Sequence, residues 1–560
     1  MPKRYLVTAG LPYSNGRLHV GHVGGAYLPA DIFVRYLRAR GDEACYVCGS
    51  DDNGVAIEIS AAKAGSTPQE VSTHFSNRQK ADFEALRIEF DVYGGTHQPD
   101  FVKLHEQYSQ DFFKRIFDKG YFTKRSTKQL YDPKAERFLP DRYVRGRCHF
   151  CDADGADGGQ CEACGQMIDP LLLIDPISEI TGEPAEVRET THWYLRLNDF
   201  EKPLKKWLES KRGQWRTQVL NFALGQIKQG LPERAMTRDI SWGVPVPLDD
   251  PDAQGKVLFV WFDAPIGYIS FTAKLCEQRD GDPGAYEKWW SDPDTKIVHF
   301  IGEDNTVFHT LIWPAMLMAD DRHQLPYEVV ANNYINFRMK GDEAKVSKSK
   351  TPDESPVWIE EFLKRFDADA LRYYLTAIAP ETVRTAFDPE DFITRNNSEL
   401  VAAFGNFVNR TLTFNAKYFD GKAPNPAAQT DADKAHLALG DSALKKVGEC
   451  IEGHRYRAGL EEMMTYARAC NLYFGTREPW RTRKEDLIDC AAAIATCIHA
   501  IHYLAVMAHP FMPGSAEKII AMLGLAEERF SWAAPAPLPV DHPLGEPVIL
   551  FEKLEQGCMD

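Results

Sequence analysis

The opening fifty residues constrain this chain more than any other stretch. Tyr5 to Thr8 is a short apolar run ending in a turn region with Gly10, Pro12 and Gly16. From about Gly24 to Arg40, Tyr27, Ile32, Phe33, Tyr36 and Leu37 recur near the helical period, and Gly41 stops the helix. Ala44 to Cys48 reads as a second buried strand, leading into Gly49-Ser50-Asp51-Asp52-Asn53-Gly54. Strand, loop, helix, strand is a βαβ unit, and such units build parallel sheets. Ligands bind them where loops leave the carboxyl ends of the strands, so chemistry is expected in Gly10 to His22 and Gly49 to Gly54.

The chain has 560 residues, enough for about three to four domains. A long polar insertion runs from about Phe122 to Leu231, after which strand-like apolar runs resume at Val257 to Trp261, Lys296 to Ile301 and Tyr327 to Ala331. The sheet is therefore expected to be split by an inserted domain. From about Glu399 the pattern changes to amphipathic helices: one around Leu400 to Leu412, then His436 to Ile451, Leu460 to Phe474, Leu487 to Met507 and Ala516 to Leu523. The Pro and Ala residues from Trp532 to Pro539 read as a strap ahead of the tail. Uninterrupted apolar runs are too short to span a membrane and no secretory leader is visible, so the expected location is the cytoplasm. A net charge of -16 argues against polyanion binding by the whole surface, while leaving room for a local basic groove. Eight of the twelve cysteines are scattered, as buried thiols of a reducing compartment would be.

The other four form two Cys-x-x-Cys pairs, Cys148/Cys151 and Cys161/Cys164, nine residues apart, with Gly155, Gly158, Gly159 and Gly165 around them. That spacing suits a tetrahedral four-cysteine Zn2+ site, and four protein ligands leave no open position for catalysis. The metal is expected to be structural.

His19-Val20-Gly21-His22 places two imidazoles at the start of the first helix, where backbone N–H groups favour phosphate. Taken alone, it could be two turn histidines. Lys345-Val346-Ser347-Lys348-Ser349 lies in a segment too polar to be core. By itself such a run is more often a solvated loop. Together the two elements resemble the HIGH and KMSKS signatures of class I aminoacyl-tRNA synthetases, with Val346 in place of methionine. Ala9 to Gly16, Val260 to Tyr268 and Phe308 to Ala315 narrow the resemblance to the methionyl branch, over about residues 4 to 545.

The resemblance implies an α/β fold: a Rossmann-type parallel-sheet catalytic domain split by a zinc-knuckle insertion, followed by an α-helical anticodon-binding bundle. The implied division is 1–121 and 232–340 for the two catalytic halves, 122–231 for the insertion and 341–395 for the KMSKS loop and linking domain. The bundle takes 396–545 and a tail 546–560. It implies a ligase that forms methionyl-adenylate from methionine and ATP with Mg2+, then passes the acyl group to tRNA(Met). His19, His22, Lys345 and Lys348 would be catalytic, and Gly21, Asp304 and Ser347 would join them in holding ATP. Methionine would lie among Gly10, Leu11, Tyr13, Trp261, Ala264, Pro265, Tyr268, Asn305, Phe308 and His309, with Trp313 adding to the lining and Asp51 holding its ammonium. Glu303 stands where the family often has lysine, and Asn305 where well-known relatives have isoleucine. Asn406, Arg410 and Trp480 match anticodon-reading positions, and Arg477, Arg481, Arg483 and Lys484 would add positive charge beside Trp480.

The physical demands agree with this reading. Attack of a carboxylate on the α-phosphorus needs positioning and charge stabilisation rather than an enzyme nucleophile. A thioether favours an aromatic lining. An unstacked base can stack on an exposed tryptophan. Singly, each aromatic is more readily explained as core, Asp51 as a turn cap and the anticodon residues as helix-surface groups. The insertion is too short for an editing domain of the isoleucyl, valyl or leucyl kind. Three rivals stand: a cysteine-specific synthetase, a silent tRNA-binding paralogue and a nucleotidyltransferase. The chain ends soon after the bundle, so a monomer is expected.

Overall fold

In the computed structural model the described residues are 2–139, 143–157, 164, 168–339, 342–344, 355, 357–525 and 530–559. Lys345, Ser347, Lys348 and Cys161 lie outside them.

Five parallel strands form the central sheet: β1 (Arg4–Ala9), β2 (Glu43–Ser50), β3 (Val92–Gly95), β4 (Thr295–Gly302) and β5 (Glu328–Asn332), in the order β5-β4-β1-β2-β3. Order reverses on either side of β1, which places a crevice at its carboxyl end. Both faces are covered, and side chains alternate between them. Val7, Tyr46 and Phe300 join a core that continues into the C-terminal helices, while Leu6, Val47 and Ile301 join a second core. Leu204, Leu208, Val219 and Leu220, from the helices Glu201–Ser210 and Thr217–Gln229, belong to that second core.

The first crossover begins earlier than periodicity suggested. A helical turn at Val20–His22 runs through a π-helical stretch, Val23–Tyr27, into α1 (Leu28–Ala39), and Gly41 ends it at φ 87°. The apolar run Val257 to Trp261 is not a sheet strand. Only Val257–Leu258 is extended, in a separate two-stranded ladder with Thr237–Arg238, and α2 starts at Val260 and runs to Asp280. A five-residue apolar run has no period that separates strand from helix.

Between β3 and β4, a long antiparallel pair, Phe122–Asp132 with Glu186–Leu195, carries a three-stranded sheet of Val144–Arg147, Ala156–Asp157 and Ile174–Ser178. After Asn396 the chain is helical: α3 (Asn406–Tyr418), α4 (Asp431–Glu452), α5 (Tyr456–Arg477), α6 (Pro479–Glu485), α7 (Leu487–Ala508) and α8 (Pro513–Met522). By length and composition α7 is apolar enough to cross a membrane, which a search for unbroken apolar runs does not register; 83% of its most apolar window is buried inside the bundle. The strap holds bundle to sheet: Trp532 donates its backbone N–H to the Ala39 carbonyl (2.7 Å) and packs edge-on against Tyr36.

Candidate active site

His19 caps the turn that carries His22. Its Nδ1 accepts from the backbone N–H groups of Gly21 (3.1 Å) and His22 (3.3 Å), and its own N–H donates to His22 Nδ1 (3.3 Å). Both imidazoles are thereby held as Nε2–H tautomers when neutral. Their rings stack at 3.5 Å. Gly21 is required by a close approach: a Cβ there would stand 2.9 Å from the Ile335 carbonyl oxygen and 3.1 Å from the His19 ring. The segment beyond the lysine-bearing stretch is sewn to this turn, with Val20 N–H donating to Val357 O (3.0 Å) and Ile359 N–H to Leu18 O (3.2 Å).

A cavity of about 370 Å³ opens at the carboxyl ends of β1, β2 and β4. His19, Gly21, His22 and Asp304 line it together with Gly10, Leu11, Tyr13, Asp51, Trp261, Ala264, Pro265, Tyr268, Asn305, Phe308, His309 and Trp313. Every described residue expected around ATP or methionine thus meets in one space. Asp51 arrives from the end of β2, fixed by Ser14 N–H on its carbonyl (3.0 Å) and by its own N–H on Pro12 O (2.9 Å). Its carboxylate is buried and Oδ1 has no hydrogen-bond partner. Burial, then the nearby Asp263 and Asp52 carboxylates, push its pKa well above the ordinary value. Such a group is either protonated or paired with a cation.

The aromatic wall is tied together by hydrogen bonds. Trp261 Nε1 donates to Tyr13 Oη (2.6 Å), and Trp261 meets Phe308 edge to face at 4.5 Å. His309 Nδ1 is 3.1 Å from the Asn305 carbonyl, which makes it the donor, so Nε2 accepts from Tyr268 Oη at 3.0 Å. Burial lowers His309 to about 4, so this imidazole is neutral and acts through its shape and its acceptor. Sequence reasoning missed Tyr27, Gln79, Asn333, Tyr334 and Ile335 in the lining. The last three follow β5, and the rule that ligands sit beyond strand ends was the available signal. Arg234 was also missed; its guanidinium lies 5.7 Å from the Trp261 ring and 5.6 Å from the Phe308 ring.

In the small insertion sheet, the Sγ atoms of Cys148, Cys151 and Cys164 lie within 4.8 Å of one another, with 3.8 Å between Cys148 and Cys164. Two thiolates about 2.3 Å from a tetrahedral metal are about 3.8 Å apart, whereas a disulfide needs about 2.05 Å. Phe150 N–H points at Cys148 Sγ (3.4 Å) and Asp152 turns the chain at φ 60°, so the backbone is shaped to present thiolates to a metal.

On the bundle, Asn406 and Arg410 are one turn apart on α3. Arg410 donates to the Asn471 carbonyl (2.8 Å) and lies 4.2 Å above the Phe474 ring, which also neighbours Phe414 and the 48% exposed Trp480.

The family described as tRNA synthetases class I (M) matches residues 5–412, and the anticodon binding domain of methionyl tRNA ligase matches residues 421–559. The methionine–tRNA ligase of Thermococcus kodakarensis is 42% identical over 99% of this chain and 74% of its own length. This chain belongs to the methionyl-tRNA synthetase family. The methionine–tRNA ligase of Bacteroides fragilis is 41% identical, covering 100% of this chain and 80% of its own. The Mycobacterium tuberculosis methionyl-tRNA synthetase bound by methionyl-adenylate superposes with a TM-score of 0.79 at 25% identity, over 98% of this chain and 100% of that one.

Glu303 and Asn305 are placed differently. Glu303 does not line the cavity; it accepts from Arg384 Nε (2.9 Å) outside it. Asn305 lines the cavity, and its backbone carbonyl fixes His309. The basic cluster beside Trp480 needs correction. Arg477 is paired with Asp433 (3.0 Å) and Asp489 (2.6 Å), and Arg481 with Glu478 (2.8 Å) and Glu485 (3.5 Å), so neither offers phosphate an uncompensated charge. The acids on Arg477 come from other helices, which a local count of charges does not register.

Proposed function

We propose that this chain is a methionine–tRNA ligase: the methionine carboxylate attacks the α-phosphorus of ATP, pyrophosphate leaves, and the terminal adenosine of tRNA(Met) then displaces AMP from the adenylate. The observation that carries this reading is Asp51. A buried carboxylate with one oxygen unpartnered, lining the same aromatic-walled cavity as two Nε2–H imidazoles, fits an amino acid whose ammonium is held while its carboxylate faces a nucleotide. Trp261, Tyr13, Phe308 and Tyr268 would surround the thioether, and Leu11 would flank the sulfur. His19 and His22 would donate to phosphoryl oxygens as charge builds, joined by Lys345, Ser347 and Lys348, with Gly21 permitting the approach. Asp304, whose carboxylate shares a hydrogen bond with Tyr334, would hold the ribose. Mg2+ accompanies ATP and shields its phosphates when bound.

Zn2+ is the metal proposed for Cys148, Cys151, Cys161 and Cys164. Four thiolates close its coordination sphere, so it shapes the insertion and takes part in no step. Asn406, Arg410 and Trp480 would read the anticodon. The boundaries at 121, 231, 340, 395 and 545 remain part of this proposal, as do a cytoplasmic location, independence of membranes and a monomeric state. Light scattering near 63.3 kDa supports a monomer, and twice that mass contradicts it.

The deciding experiment is methionine-dependent exchange of labelled pyrophosphate into ATP, followed by aminoacylation of tRNA(Met). Exchange with methionine and none with cysteine supports the assignment. No exchange, or a preference for cysteine, overturns it.

A further inference from the structure

Arg216 sits where four parts of the chain meet. It lies just ahead of the helix Thr217–Gln229, and its guanidinium donates to Ala331 O (3.0 Å), Asn332 Oδ1 (2.7 Å), Glu381 O (2.8 Å) and His454 O (2.8 Å). Those acceptors belong to the end of β5, to the linking segment and to the turn between α4 and α5. Asn332 extends the contact: its Nδ2 donates to the Gly25 carbonyl at 2.7 Å, inside the π-helical stretch that directly follows His22. Asn332 is buried, so its amide has no solvent alternative to these two bonds.

At the other end, His454 is held in a left-handed conformation (φ 51°), its ring against Phe33 (4.8 Å) and Phe300 (5.4 Å) of the catalytic core. Two residues later α5 begins, a rod of 22 residues and about 33 Å. Its far end carries Arg477 and delivers Trp480 on α6. A shift of that rod would reach the His454 carbonyl first, then the guanidinium fork, then Asn332 and Gly25. The element able to respond is the stretch Val23–Tyr27. A π-turn differs from an α-turn by one slipped hydrogen bond per residue, and such turns are frequent at functional sites.

We propose that Arg216 is a positioning residue that couples occupancy of the anticodon site to the seating of His22, with Asn332 as its relay. This rests on the functional reading above. The test is a double-mutant cycle on the full chain: Trp480→Ala alone, and combined with Arg216→Lys or Asn332→Asp. Lysine cannot serve four acceptors at once. Aspartate keeps the acceptor for Arg216, now as a charged partner, and sets an oxygen against the Gly25 carbonyl where the donor stood, so it breaks the relay at Gly25 and carries the test should Arg216→Lys fail to fold. Aminoacylation kcat and KM for tRNA are read beside methionine-dependent pyrophosphate exchange without tRNA. The expected result is that the Trp480→Ala penalty on kcat shrinks by about fivefold or more in either background. Its penalty on KM persists, because the stacking partner is still missing. A merely structural role scales all rates together and leaves the Trp480→Ala penalty as large as before. Penalties that multiply to within about twofold, with exchange intact, overturn the coupling. Absence of exchange in the parent chain overturns the functional reading itself, and the coupling with it.

Discussion

Replacing Asp51 by asparagine keeps the outline of the side chain and removes its charge, which separates two effects of one carboxylate. An ammonium about 3 Å from it interacts with roughly 5 kcal/mol at an effective dielectric of about 20. Leaving a buried ion without its partner costs about 3–5 kcal/mol. The expected fall in kcat/KM for methionine in pyrophosphate exchange is therefore roughly 150- to 5,000-fold. Stability should move the other way. Burial and the neighbouring Asp263 and Asp52 raise the pKa of Asp51 in the folded protein above its unfolded value. The native state then holds the proton more tightly than the unfolded chain, and stability falls as pH climbs from about 4 through the native pKa. The neutral amide of Asp51→Asn carries no such penalty, so the variant should melt at a higher temperature than the parent at neutral pH, and the gap should close toward pH 4. Exchange kinetics and melting curves across pH read both effects. A loss under tenfold, or a lower melting temperature at neutral pH, would refute the argument that Asp51 is an unpaired charge awaiting an ammonium.

Gly21→Ala forces a Cβ to 2.9 Å from the Ile335 carbonyl, and exchange should fall at least about 100-fold while circular dichroism stays unchanged. Tyr268→Phe removes one hydrogen bond to the neutral His309, and KM for methionine should rise about 3- to 12-fold with little change in kcat. Metal analysis should find one zinc per chain; Cys148→Ser should lower the first melting transition and leave KM for methionine within about twofold. Arg477→Ala should destabilise the bundle, since it strands Asp433 and Asp489, and should change the salt dependence of tRNA binding less than Lys484→Ala does, as salt-slope measurements can decide.

The first βαβ unit was readable because strand, glycine turn and helical period follow one another within fifty residues. Much of the cavity was readable because most of the expected lining comes from three short stretches whose residue types are constrained together, Gly10 to His22, Trp261 to Tyr268 and Asp304 to Trp313, with Asp51 added from the loop after β2. The run at Val257 to Trp261 was misread as strand because a short apolar helix start and a strand share the same composition. Arg216 carried no local signal, since its four partners stand 115 or more residues further along the chain. The pairing of Arg477 was hidden for the same reason: charge complementarity between helices is settled by packing, not by neighbours in sequence.

The central strand has a delayed partner. β1 pairs with β4 along its whole length, and the side chains Thr8 and His299, which bond across that pair, are 291 residues apart. At about 5–20 residues per second, a ribosome takes roughly 15–60 s to make the intervening polypeptide. For that time a nascent chain holding only β1, β2 and β3 presents an open, apolar sheet edge, and a premature stop before Thr295 leaves it open permanently. Truncated products of this gene should therefore be chaperone clients rather than half-active enzymes.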